Sequence, residues 1–206
     1  MKFSINWQRF LPTQTNSFLR WSRNIFFIIG LLALSYVGYV WLDAGFYQAR
    51  QDKRLEQALN GVQPAWAETL VIPVRDGSPL GRIEISRVGL TAIVQEGVNE
   101  GTLRRAVGHF PGTALPGQRG NVALAGHRDT FFRGLRQIRK DDEITLTTLT
   151  GSYRYRVEST RVVEPEATEV LDDAENEILT LVTCYPFNFV GSAPQRFIVR
   201  AYRIPG

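Results

Sequence analysis

Residues 178–186 read ILTLVTCYP. From Ile178 to Thr183 the run is apolar on both faces apart from its threonines. That composition predicts a strand covered on both sides, at the centre of a sheet rather than at its edge. Pro186 lacks the N–H that a ladder needs, so the strand is expected to stop there and to present Cys184 at its end.

Working outward, the same period-two signal recurs through the second two-thirds of the chain. Ile83 and Ile85 alternate with polar neighbours, and Ile144, Leu146 and Leu149 sit in EITLTTL. Tyr153, Tyr155 and Val157 alternate with Arg154, Arg156 and Glu158, the pattern of a half-buried strand. Phe197, Val199 and Ala201 alternate with Ile198, Arg200 and Tyr202, and Asn121–Gly126 (NVALAG) reads as a strand ending in glycine. Gly and Pro clusters such as Pro111-Gly112 and Pro116-Gly117 separate these runs. Many short strands with few helical stretches predict an all-β barrel or sandwich.

Upstream the pattern changes. Residues 25–42 read IFFIIGLLALSYVGYVWL, without a charge. As a helix this run is about 27 Å long, close to the ~30 Å hydrocarbon thickness of a bilayer. Lys2, Arg9, Arg20 and Arg23 precede it with no acid among them, whereas Asp43 and a mixed run follow. This charge bias predicts a single-pass anchor in the cytoplasmic membrane, with the N-terminus inside and everything after Leu42 outside. A cleaved signal peptide is the rival; the length of the run and its aromatic exit (Tyr36, Tyr39, Trp41) argue against it. The organisation expected is a cytoplasmic tail over 1–24, a transmembrane helix over 25–42, a linker over 43–69 and a catalytic domain over 70–206. Leu55, Ala58 and Leu59 mark a short amphipathic helix in the linker, which Gly61 and Pro64 would end. It serves as a stalk or packs on the domain.

The net charge of +4 arises from 24 basic and 20 acidic residues that are interspersed, so no basic stripe points to nucleic acid. With one cysteine and two histidines, neither a disulfide nor a multi-cysteine metal site can form. No metal or other cofactor is expected. An unpaired thiol in an oxidising exterior is a liability that calls for a reason, and Cys184 is therefore the candidate nucleophile. His127, in GHRDTFF after the NVALAG run, can favour the thiolate as an imidazolium. Arg196, which opens the last strand, can hold a developing oxyanion. His109 in GHFPG is a competing histidine, and Asp129 is a possible orienter of His127.

Together these residues resemble a known family. Thr180-Leu181-Val182-Thr183-Cys184 fits the TLxTC signature of the sortases, with an arginine 12 residues downstream and a histidine on an earlier strand. The stretch GHFPGTALPGQRGNVALAGHRDTFF is similar to the corresponding region of class D or E and of Gram-negative sortases. The resemblance covers roughly residues 70–202. It implies an eight-stranded β-barrel with Cys184, His127 and Arg196 gathered at one end of a groove. It also implies transpeptidation of exported proteins bearing an LPxTG-like sorting signal onto an amine acceptor. The alternatives are a tethered cysteine peptidase that transfers to water and a non-catalytic peptide-binding β-domain.

Overall fold

The computed structural model describes residues 15–60 and 75–205. Residues 1–14, the expected stop signals Gly61 and Pro64, and the expected domain start at residue 70 lie outside the described residues. By contacts the chain forms two units, 1–43 and 44–206.

The alternating runs close on themselves. Eight strands, β1 (Pro79–Ile85), β2 (Leu90–Glu96), β3 (Val107–His109), β4 (Asn121–Ala125), β5 (Glu143–Thr148), β6 (Gly151–Val163), β7 (Ile178–Tyr185) and β8 (Gln195–Ile204), form a closed barrel in the order β1-β2-β3-β4-β7-β8-β6-β5. Closure removes the exposed edges that would otherwise template pairing with other chains. The β2–β3 and β4–β7 pairs are parallel and the rest antiparallel. Alternate residues of every strand point inward, among them Ile83, Ile85, Val94, Val122, Leu124, Ile144, Leu146, Tyr155, Val157, Leu179, Leu181, Val199 and Ala201, all buried in one core. Tyr155 is fully buried, and burial pushes its phenol up to about 12.

As expected, β7 stops at Pro186 and carries Cys184 at its end. One expectation changes in detail. Leu149 falls past the end of β5 in the turn to β6 and is 53% exposed. Strands β2 and β3 carry little alternation; β2 is buried at six of its seven positions because both its faces are covered.

Helix α1 spans Thr15–Asn60, and Leu19–Gln57 within it is long and apolar enough to cross a membrane. Its residues 44–60 pack on the barrel. Gln48 uses both ends of its amide, donating to Arg105 O (2.6 Å) and accepting from Ile93 N (2.7 Å). Asp52 pairs with Arg82 at 2.8 Å, and Leu55 is buried. A short helix α2 (Glu100–Arg105) is capped by the Asn99 side chain, which accepts from Thr102 N at 3.0 Å.

Asp142, before β5, accepts two hydrogen bonds from Arg87 and one from Arg139 N (2.7 Å), closing the barrel end around the 86–88 turn. Arg87 above all, with the Arg139 amide, holds the Asp142 carboxyl below the usual carboxylate range. A carboxyl whose folded pKa is depressed contributes stability above its unfolded value, and that stability is lost as pH falls through the folded value. Asp142→Asn is therefore expected to lower the melting temperature at pH 7. The gap to the parent protein should close on acidification below about pH 4, the unperturbed Asp value. Melting curves of both proteins across pH 2–8 check this.

Candidate active site

Sheet register brings two of the three candidate residues side by side, and the third follows the end of a neighbouring strand. On the antiparallel side, Cys184 of β7 faces Arg196 of β8 directly. On the parallel side, Ala125 of β4 faces Val182 of β7. The ladder continues past that pair: Gly126 N donates to Val182 O (3.2 Å) and Thr183 Oγ1 donates to Gly126 O (2.7 Å). β4 ends at Ala125, and His127 follows two residues on, half-buried, past the Ala125–Val182 pair.

The pleat gives Cys184 and Arg196 the same face. Leu179 and Leu181, and Val199 and Ala201, point into the core. Cys184 and Arg196 are out of phase with them and so lie on the outer wall of the barrel, and Val122 and Leu124 of β4 point into the same core. Cys184, Arg196 and His127 are each half-buried. Cys184 is a free thiol.

Neighbouring groups fix this arrangement. Gly126 is needed because a Cβ there would meet the Phe132 ring at 2.8 Å. Phe132 is fully buried and its N–H donates to His127 O (3.0 Å), which anchors the turn GHRDTFF to the core. Arg196 Nη1 donates to Ala193 O (3.2 Å) and Gln195 O (3.0 Å), which holds the guanidinium against the β7–β8 connection. Arg128 Nη2 donates to Phe189 O (2.7 Å) and Gly191 O (3.0 Å) of the same connection. Arg128 was not marked by sequence reasoning; only the fold brings it within reach of residues some 60 positions later. Tyr185, Phe187 and Phe197 pack as an aromatic cluster, with centroids 5.3–6.2 Å apart, and Phe187 and Phe197 rest on the core.

The competing histidine is placed elsewhere. His109 is 1% exposed, on the inner side of β3, opposite Leu124. Its Nδ1 lies 2.7 Å from Glu96 Oε2 and its Nε2 lies 2.9 Å from Ala114 O. The ring is thus enclosed and its nitrogens engaged, in a buried pair with Glu96. Removing the imidazole leaves the buried Glu96 carboxyl without its hydrogen-bond partner and opens a cavity, at a cost of about 3 kcal/mol. His109→Ala is therefore expected to lower the melting temperature by roughly 10 °C. In the surviving folded fraction, alkylation of Cys184 by iodoacetamide should keep its normal rate. Asp129 is exposed and makes no hydrogen bond to His127 among the described residues.

Residues 83–204 match the family model described as the Sortase domain. The chain belongs to the sortase family. It is 34% identical over 129 residues to Sortase D of Bacillus subtilis, covering 62% of this chain and 65% of that one. It is 28% identical to a sortase of Streptomyces coelicolor, covering 79% of this chain and 51% of the relative. The sortase chain thus spans about half to two thirds of the length of the curated relatives it matches. Among solved structures, a Sortase D5 transpeptidase of Clostridium perfringens superposes with a TM-score of 0.66 at 29% identity, over 74% of this chain and 95% of that one. A C. perfringens sortase C with the C-terminal cell wall sorting motif superposes with a TM-score of 0.60 at 25% identity, over 75% of this chain and 85% of that one. The closed eight-stranded barrel is therefore the sortase fold.

Proposed function

We propose that this sortase is a membrane-anchored cysteine transpeptidase that cuts an LPxTG-like sorting signal of exported proteins and passes the acyl group to an amine. The observation that carries this reading is the pairing of the Cys184 thiol with the Arg196 guanidinium across the ends of β7 and β8, with His127 two residues past the end of β4, the strand on the other side of β7. In this role the Cys184 thiolate attacks the carbonyl carbon before the scissile bond. Arg196 offsets the negative charge that grows on the carbonyl oxygen. His127, as imidazolium, gives its proton to the departing amine as the C–N bond breaks, leaving a thioester on sulfur. An incoming amine then attacks the thioester and loses a proton to His127, and sulfur leaves as thiolate. One amide replaces another, so the exchange is nearly isoenergetic and requires no nucleotide.

Support also comes from the relatives, one described as a transpeptidase and another with a sorting motif. The apolar helix over residues 19–57 and the basic residues before it support an anchor with the N-terminus inside and the barrel outside.

The test uses the full chain in detergent with a small library of LPxTG-like peptides. Mass spectrometry of Cys184 should show an acyl adduct with some of them. Added amine should discharge the adduct to the aminolysis product in preference to the free acid. Free acid alone at saturating amine would make the protein a peptidase, and no adduct with any peptide would sink the catalytic reading.

A further inference from the structure

Strands β4 and β7 run parallel, so the turn that follows β4 and the connection that follows β7 lie at the same end of the barrel. The turn carries His127 and Arg128, and the connection, residues 186–194, leads from Cys184 to Arg196. Arg128 joins the two. Its Nη2 donates to Phe189 O (2.7 Å) and to Gly191 O (3.0 Å), the carbonyls on either side of Val190. Gly191 sits at φ +97°, a conformation that glycine adopts without strain, and the bend there lets both carbonyls reach one nitrogen.

Little else holds the tip of this connection. Phe189 is 44% exposed and Val190 94% exposed, so packing fixes the tip weakly. Phe187 rests on the core before the tip, and Arg196 Nη1 grips Ala193 O and Gln195 O after it. Among the described residues no side chain other than that of Arg128 hydrogen-bonds to residues 188–192. The guanidinium is placed there at a cost. Its Nη1 is enclosed and has no hydrogen-bond partner among the described residues. An arginine at the surface would leave that nitrogen in water. A buried unpaired donor calls for a reason, and the reason here is what the other nitrogen holds.

We infer that Arg128 is a positioning residue for the oxyanion group: it ties the 186–194 connection to the histidine turn and so fixes the carbonyls against which Arg196 is braced. The inference rests on the transpeptidase reading. Gly191 O and Ala193 O are two residues apart, so the Arg128 tie and the Arg196 tie share one short stretch of backbone. With the first tie cut, the exposed tip drifts and the second loses its fixed anchor. Arg196 then meets the growing oxyanion out of line, while the thiol and the imidazole keep their own supports. The effect belongs to the transition state, so it lowers kcat and leaves KM nearly alone.

The experiment is a double-mutant cycle on the full chain in detergent, with a peptide that acylates the parent protein and with its thioester analogue. Arg128→Ala is expected to lower kcat for acylation about tenfold, with KM within about twofold. The loss should be the same on the thioester, whose leaving group needs no proton from His127. In an Arg196→Ala background, measured on the thioester, the same substitution should cost less than about twofold, because the group it positions is gone. Arg128→Lys, whose ammonium can still donate to two carbonyls, should recover most of the rate. Additive losses in the cycle, a loss confined to the amide peptide, or a loss that falls on KM overturns the inference. If Arg128→Ala does not fold, Gly191→Ala, which strains the same bend from the other side of the tie, must show the same loss and the same non-additivity, and its absence overturns the inference as well. A parent protein that forms no acyl adduct removes the proposed function itself, whereas a normal parent beside an unaffected Arg128→Ala removes the tie alone.

Discussion

Cys184→Ala, assayed on a peptide that acylates the parent protein, is expected to form no adduct and to lose turnover by at least about 10⁴-fold, the scale of removing a covalent nucleophile. The fold should survive. Cys184 is half-buried at a strand end and outside the core, so the substitution removes one sulfur and opens no interior cavity. The melting temperature of the variant should match that of the parent within a few degrees. Peptide binding should persist, because only the sulfur is removed; fluorescence anisotropy of a labelled peptide measures this directly. Normal turnover in Cys184→Ala would end the mechanism, whereas lost turnover with an unfolded protein would leave it untested, which is why the melting curve belongs to the assay.

His127→Ala is the second large effect. Loss of a positioned general acid costs on the order of 10²–10⁴-fold in the acylation rate. Two features separate this from mere disturbance of the site. First, the loss should shrink for a donor with a good leaving group, such as a thioester or activated ester, because departure no longer needs a proton. Second, the loss should fall on acylation and spare binding of the peptide, because His127 acts on the departing amine. Equal losses on amide and activated ester would show that His127 supports the site without donating a proton. Arg196→Lys makes a useful comparison. Lysine keeps the charge but cannot both grip Ala193 O and Gln195 O and present further donors in a fixed plane, so it should rescue little of the activity lost in Arg196→Ala.

Much of the fold was readable from local pattern. The stretches around Ile83, Ile144, Tyr153, Ile178 and Phe197 alternate because one face of each strand meets the core and the other meets water or a thin cover. Strand β2 was not readable in this way. Its inner residues face the core while its backbone and outer side meet Gln48 of α1 and the β1 strand, so nearly every position is buried and the alternation disappears. The β3 strand is three residues long, too short for any period to register. Leu149 looked like the next inward residue of β5, but the chain had already turned.

The candidate site divides in the same manner. Cys184 could be singled out because it is the one cysteine, and Pro186 marks the end of its strand. The choice between the two histidines could not be made from residue chemistry, since GHF and GHR offer the same imidazole after the same glycine. The fold separates them: β3 turns His109 inward onto Glu96, while His127 stays half-buried past the end of β4, the strand that pairs with β7. Arg128 carried no local sign of a role, because its partners lie about 60 residues away in another connection.

By itself, then, the order of amino acids determined which segments become strands, which single atom is the nucleophile candidate, and where an apolar helix stands. These are local matters of side-chain period, backbone donors and charge. Only the closed barrel decided which distant side chains meet, because a pleated sheet sorts residues by register and parity across strands. A shift of one residue in the β4–β7 pairing would have turned Val122 and Leu124 out of the core.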